Sequence, residues 1–113
     1  MVEHRRSRRR NFSYYMRVTD SVTQKPVGHL SDISLIGFKL DSSQALPVGV
    51  DFNLRFDLSN DIADKNFMSF IARSRWCKAD KLDPYIQNVG FEIINMQPQD
   101  MTIYQRIVEK YAV

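Results

Sequence analysis

The sequence of 113 residues is poor in the residue types that build disulfides and metal sites. Its single cysteine, Cys77, cannot form a disulfide within the chain, and the two histidines, His4 and His29, match no zinc-ligand spacing. We therefore expect an intracellular, cytoplasmic protein with no metal and no cofactor. Apolar runs long enough to span a membrane are also missing, and the first residues are charged, so we expect neither a membrane span nor a secretory signal.

Recognisable catalytic patterns are missing as well. The chain has no P-loop and no Gly-x-Gly-x-x-Gly pattern, and no Ser-His-Asp or Cys-His set is apparent. Asp32 and Ser34 lack a plausible histidine base nearby, since His29 is interpreted as an ordinary strand residue with its own hydrogen bonds. We therefore expect a binding protein and not an enzyme.

The net charge of +3 is concentrated in the first ten residues. Residues 1–10 contain five arginines, one glutamate and no lysine, for a net charge of +4, whereas the rest of the chain has a net charge of −1. A short basic segment beside a nearly neutral body suits a phosphate-bearing partner or an anionic surface. We predict that residues 1–11 form a flexible, arginine-rich arm that binds the ligand.

The remainder, residues 12–113, has the pattern of one mainly β domain. Alternating and β-branched residues predict six strands, at 14–19, 27–33, 36–40, 50–58, 67–77 and 87–94. After residue 97 the apolar period changes to 3.6, which predicts a helix over about 98–112. Six strands joined by short connections favour an antiparallel β-barrel with one C-terminal α-helix, since closure of the sheet removes exposed edges.

Two short motifs stand in order near the start of this domain. Arg5 and Arg9 form an Arg-x-x-x-Arg pattern ahead of the first predicted strand. Asp32, Ser34 and Gly37 form an Asp-x-Ser-x-x-Gly pattern between the second and third strands. In this order and at this distance, the pair resembles the PilZ domain family, whose marks are an RxxxR arm and a [D/N]xSxxG turn. The resemblance to this family extends over most of the chain and includes the segments 71–76 and 89–93 and the C-terminal helix.

The resemblance implies a six-stranded β-barrel that binds cyclic di-GMP and acts as a bacterial effector in motility, adhesion, biofilm or polysaccharide control. It implies that Arg5 and Arg9 bind the ligand from the arm, and that the second motif binds it from the barrel. Arg6 and Arg10 also satisfy the RxxxR spacing. We prefer Arg5 and Arg9, because they place Phe12 three residues after the second arginine, and we expect Arg6 and Arg10 to assist.

The chemistry of these residues suits a guanine-bearing dianion. An arginine fork matches the adjacent O6 and N7 acceptors of guanine, and it also pairs with phosphate. Asp32, when ionised, accepts hydrogen bonds from the guanine N1 and N2 donors. Ser34 both donates and accepts, and Gly37 permits a tight turn or close approach of the ligand. Trp76 is interpreted as a strand residue that packs at the barrel end, with stacking on a guanine as the alternative.

Three functions follow from these patterns. The first is a cyclic di-GMP receptor whose arm orders over the ligand and creates a surface for a separate, unidentified partner protein. The second is a nucleotide-independent adaptor that uses the barrel for protein contacts. The third and weakest is a nucleic-acid-binding barrel, which the basic arm would favour if it were considered alone. Taken alone, the Asp-x-Ser-x-x-Gly motif also fits an ordinary turn, in which Asp and Ser bond the local backbone.

Overall fold

A computed structural model describes residues 10–11 and 16–111 of the chain. Within these residues the chain forms seven strands and one helix. The elements are β1 (Arg10–Asn11), β2 (Arg17–Asp20), β3 (Pro26–Ile33), β4 (Gly37–Ser42), β5 (Asp51–Asp57), β6 (Phe67–Ala79), β7 (Gln87–Asn95) and α1 (Pro98–Tyr111).

Strands β2 to β7 close into a six-stranded antiparallel barrel. The strand order is β3-β2-β5-β6-β7-β4, and an additional pairing between β4 and β3 joins the two ends of the sheet. The two-residue strand β1 pairs with the last residues of β3. The prediction of a mainly β, six-stranded antiparallel barrel with one C-terminal helix is therefore confirmed. Strand β1 corresponds to the last two residues of the predicted arm.

Aromatic side chains fill the barrel. The ring of Phe38 stacks on that of Phe91, with centroids 5.3 Å apart, and meets the rings of Phe56 and Phe70 edge-on. These four residues lie on alternating, inward-facing positions of their strands, and none is more than 4% exposed. The alternation that predicts the strands thus also identifies the core, because successive side chains of a strand point to opposite faces.

Helix α1 packs over the barrel end at which the β3–β4 turn and the β5–β6 loop lie. Its inward face carries Tyr104 and Ile107, which are 3% and 0% exposed. Asp100 lies in the first turn, where a carboxylate is stabilised by the helix dipole. No helix in the described part of the chain is long and apolar enough to cross a membrane.

Candidate functional site

The Asp-x-Ser-x-x-Gly motif forms the turn between β3 and β4. The Ser34 amide donates to the carbonyl oxygen of Gly37 at 2.9 Å, which closes the turn. The Ser34 hydroxyl donates to the same oxygen at 3.3 Å and accepts from the Ile36 amide at 3.4 Å. Ser34 is only 3% exposed. Its hydroxyl therefore holds the turn together, and a direct contact between Ser34 and a ligand stays a prediction.

Gly37 is required by the packing of the sheet. A Cβ atom at this position would lie 2.3 Å from the carbonyl oxygen of Phe91 on the neighbouring strand β7. Its φ is not positive. The sequence suggested a tight turn or a close approach of the ligand, whereas the structure gives the close approach of β7 as the physical reason for glycine.

Asp32 stands on β3 immediately before this turn. The register of β3 shifts between Leu30 and Asp32, so the buried Leu30 pairs with Leu40 and Asp32 pairs with Lys39. This β-bulge turns Asp32 to the outer face of the barrel, where it is half-buried. The sequence pattern contains no signal for this bulge.

The arm enters the fold next to Asp32. Strand β1 runs antiparallel to the end of β3, with Asn11 opposite Asp32 and Arg10 opposite Ile33. Since β1 is antiparallel, its first residue, Arg10, lies on the side of the Ser34 turn. Of the four arginines predicted to bind a ligand, Arg10 is described by its backbone only. The predicted ligands Arg5, Arg6 and Arg9 lie outside the described residues.

Asp32 is the first member of a row of paired residues that crosses four strands on the outside of the barrel. Asp32 on β3 pairs with Lys39 on β4, Lys39 pairs with Gly90 on β7, and Gly90 pairs with Trp76 on β6. We call these four residues the outer row. Three interstrand spacings make the outer row about 14 Å long. One carboxylate, one ammonium group and one indole ring therefore share a single outer face.

Trp76 reaches this face because of a second bulge. The register of β6 shifts between Ser74 and Trp76, and the indole then lies on Gly90. The Nζ atom of Lys78 lies 5.7 Å from the indole centroid, within the range of a cation–π contact. Trp76 is half-buried. Trp76 is a residue of strand β6, and its indole packs on Gly90. Packing at the barrel end and the alternative of stacking on a guanine both stay predictions.

The next row along the same strands is already hydrogen-bonded within the protein. The Asn88 side-chain amide donates to Asp41 at 2.8 Å, and His29 Nε2 lies 3.7 Å from the other oxygen of that carboxylate. A cleft of about 300 Å³ opens beside this row, and Arg17, Gly28 and Tyr85 also line it. None of the predicted ligand residues in the described chain lines this cleft. The outer row therefore lies apart from this cleft, on the outside of the barrel.

Two carboxylates near the outer row, those of Glu92 and Asp80, accept hydrogen bonds from within the protein. Arg75 donates through Nε to Glu92 at 2.7 Å on the outside of β6 and β7. At the tip of the β6–β7 hairpin, the amides of Leu82 and Asp83 donate to the carboxylate of Asp80 and lower its pKa below the ordinary value of 3.8. Among the described residues, no group of three or more His, Cys, Asp or Glu side chains is placed to hold a metal ion.

Sequence reasoning did not identify two residues at this site. Lys39, in the middle of the outer row, belongs to no motif. Tyr104 also belongs to no motif, yet its hydroxyl lies 2.6 Å from the carbonyl oxygen of Ser34 and 3.0 Å from that of Gly37. Periodicity places Tyr104 on the buried helix face, but a contact across 70 residues has no local signal.

Comparison with known proteins agrees with the motifs. A family model described as PilZ domain matches residues 3–110. No curated protein matches the sequence significantly.

The fold is similar to that of several solved structures. The PilZ domain of YcgR from Escherichia coli with c-di-GMP has a TM-score of 0.67 and 18% identity, with coverage of 96% of this chain and 92% of that one. The inhibitor of motility MotI/DgrA of Bacillus subtilis has a TM-score of 0.69 and 12% identity. The MrkH–c-di-GMP complex of K. pneumonia has a TM-score of 0.69 and 16% identity. The similarity covers 96% of this chain in both cases but only 52% of the MotI and MrkH chains.

Proposed function

The chain belongs to the PilZ domain family, and from that premise we propose that it is a cyclic di-GMP receptor whose arginine-rich arm closes over a ligand bound on the outer row. We propose a binding module without catalytic activity, which acts through a separate protein partner. Two structures with the same fold, those of YcgR and MrkH, are complexes with c-di-GMP. Their identity to this chain is below 20%, so the ligand is carried over as a proposal.

One observation carries this proposal: the backbone of β1 pairs with β3 at Asp32. Arg10, the first residue of β1, pairs with Ile33 and so lies on the side of the Ser34 turn. We propose that the arm that precedes Arg10 in the sequence binds the ligand from this side. In this proposal the guanidinium groups of the arm and the carboxylate of Asp32 bind the same guanine.

The contacts we propose divide the ligand between the arm and the barrel. Arg5 and Arg9 pair with guanine O6 and N7 or with phosphate, and Asp32 accepts from guanine N1 and N2. Arg6 and Arg10 assist from the same segment, and Trp76 offers its outer ring face for stacking. Ser34 and Gly37 contribute by holding the turn, in addition to any direct contact.

The magnitudes are sufficient for a useful affinity. A bidentate arginine–guanine pair contributes about 1–3 kcal/mol of discrimination, and stacking on an aromatic ring contributes about 1–3 kcal/mol per base. Micromolar affinity corresponds to about 8 kcal/mol. A few such contacts reach this value even if folding the arm over the ligand costs about 2–5 kcal/mol. The closed arm would then form the surface that a partner protein recognises and binds.

The test is calorimetric titration of the full chain with cyclic di-GMP. We expect Asp32→Ala and Arg5→Ala each to weaken binding at least about tenfold, the effect of losing one such contact. Asp41→Ala is the matched control, because Asp41 is an outward carboxylate on β4 that bonds Asn88. Undiminished binding in both variants would refute the assigned site. Arg6→Ala should lose less affinity than Arg5→Ala. The reverse result would assign the RxxxR motif to Arg6 and Arg10 instead of Arg5 and Arg9.

A nucleotide-independent adaptor is the second candidate function. It is favoured by the local roles of the second motif, since the Ser34 hydroxyl closes the turn and Gly37 accommodates β7. It predicts no binding of cyclic di-GMP at high micromolar concentration. Binding to any polyanion with steep salt dependence, and without preference for the cyclic dinucleotide, would instead indicate a nucleic-acid-binding barrel.

A further inference from the structure

Helix α1 makes a direct polar contact with the motif turn. The hydroxyl of Tyr104 lies 2.6 Å from the Ser34 carbonyl oxygen and 3.0 Å from the Gly37 carbonyl oxygen. These are the two residues that begin and end the turn. Tyr104 is 3% exposed, and its ring stacks near that of Phe56 with centroids 6.3 Å apart. The packing of the ring in the core therefore holds the hydroxyl in place.

The hydroxyl completes the hydrogen bonding of the turn from outside it. A phenol carries one proton, which the two carbonyl oxygens share. The Gly37 oxygen also accepts from the Ser34 amide and hydroxyl, both of which belong to the turn itself. Tyr104 thus ties the turn to helix α1, while the Ile93 amide, which donates to the Ile36 carbonyl oxygen at 3.2 Å, ties it to strand β7.

Helix α1 is also held by the β5–β6 loop. Lys65 Nζ lies 2.6 Å from the buried carboxylate of Asp100, and Arg106 donates to the carbonyl oxygen of Ile62 at 2.5 Å. Lys110 Nζ lies 3.1 Å from the carboxylate of Asp61. The helix is therefore anchored both to the motif turn and to the β5–β6 loop.

We propose that Tyr104 is a positioning residue for ligand binding, which couples the docking of helix α1 to the geometry of the Ser34–Gly37 turn. This inference rests on the proposed function, since it assumes that the turn and the adjacent Asp32 receive the ligand. Coupling of two sites is reciprocal. Ligand binding at the turn should therefore stabilise the docked helix, and a change that loosens the helix should weaken ligand binding.

The test compares two conservative variants of the same helix face. Tyr104→Phe removes the hydroxyl and keeps the ring. Ile107→Val removes one methyl group from a side chain that is 0% exposed. As an aliphatic residue, Ile107 makes no side-chain hydrogen bond to the motif. Both changes reduce the packing or bonding of α1 and are expected to lower stability. Only Tyr104→Phe removes a bond to the turn.

Two readouts separate positioning from a general loss of stability. In the ligand-free chain, we expect Tyr104→Phe to speed hydrogen exchange of the Ser34 amide at least about tenfold relative to the Leu40 amide in β4, and Ile107→Val to leave this ratio unchanged. With cyclic di-GMP, we expect Tyr104→Phe to raise Kd about tenfold and Ile107→Val to change it less than twofold.

An equal exchange ratio in the two variants would overturn the positioning role, because Tyr104 would then act only through stability. The exchange readout needs no ligand. A wild-type chain that fails to bind cyclic di-GMP would therefore refute the proposed function, while the Ser34 exchange ratio would still decide whether Tyr104 fixes the turn.

Discussion

Replacement of Gly90 by alanine tests the outer row at its most constrained point. Gly90 pairs with Trp76, and the indole lies directly on it. A Cβ atom at position 90 would come within 2.2, 2.3 and 2.7 Å of the indole atoms Nε1, Cε2 and Cζ2. The side chain of Trp76 must move, because a new methyl group and the ring cannot occupy the same space.

The size of the effect follows from these distances. Ordinary contact starts near 3.4 Å, so the ring must retreat by about 1.2 Å from its nearest atom. Base stacking on an aromatic ring is worth about 1–3 kcal/mol, or about 5- to 150-fold in Kd. A displaced ring keeps part of this energy, so we expect a loss of about tenfold in affinity for cyclic di-GMP. We expect a net loss of stability of only about 1 kcal/mol, because the alanine also restricts the unfolded chain.

The assay uses the fact that Trp76 is the only tryptophan. Its emission maximum should shift to the red in Gly90→Ala, since a displaced ring is more exposed to water. Calorimetry then gives the affinity, and urea unfolding gives the stability. A double-mutant cycle provides the control: in a Trp76→Ala background there is no indole to displace, so Gly90→Ala should have no further effect on Kd.

The reasoning is refuted by either of two results. Unchanged emission and unchanged affinity in Gly90→Ala would mean that the indole does not lie on Gly90. The same loss of affinity with and without Trp76 would mean that Gly90 acts through the strand and not through the ring.

Two further predictions concern stability. Gly37→Ala places a Cβ atom 2.3 Å from the Phe91 carbonyl oxygen, so β4 and β7 must separate; we expect a loss of about 2 kcal/mol and a fall in Tm of about 8 °C, which an unchanged midpoint in thermal unfolding would contradict. The amides of Leu82 and Asp83 lower the pKa of Asp80, so its contribution to stability is present above pH 3.8 and is lost as the pH falls through the lower pKa of the folded state. The Tm advantage of the wild type over Asp80→Ala should therefore shrink in acid, and an advantage that is constant with pH would show that the charge of Asp80 plays no part.

Local periodicity accounts for most of what the sequence predicted correctly. Strand β5 was expected at 50–58 and spans Asp51–Asp57, and the helix was expected at about 98–112 and spans Pro98–Tyr111. Both elements bury one face against a single core, so burial imposes a period of two on the strand and of 3.6 on the helix. The family resemblance and the closed barrel are likewise confirmed.

The site could be predicted only in part, because its geometry depends on features without a local pattern. The bulges before Asp32 and before Trp76 bring both side chains to the outer row. A bulge adds one residue to one strand, and its position is set by the partner strand and not by neighbours in sequence. The sequence named Asp32 and Trp76 separately, but only the sheet register places them on one face. The contact of Tyr104 with the turn could not be predicted either, because it joins residues that are 70 positions apart in the sequence.

The position of the outer row on the outside of the barrel, on the proposed function, has a consequence for how affinity arises. The row is about 14 Å long and lies on the convex outside of a barrel, so a ligand resting on it alone stays largely in contact with water. Hydrogen bonds and ion pairs that remain hydrated contribute little net free energy, whereas the same contacts are stronger once water is excluded. The arm would therefore strengthen the contacts of Asp32 as well as adding its own arginine contacts. For this reason the losses from Arg5→Ala and Asp32→Ala should not add, and a double variant should bind only slightly more weakly than the worse single variant. Full additivity of the two free-energy changes would show that the arm and the barrel bind independent parts of the ligand.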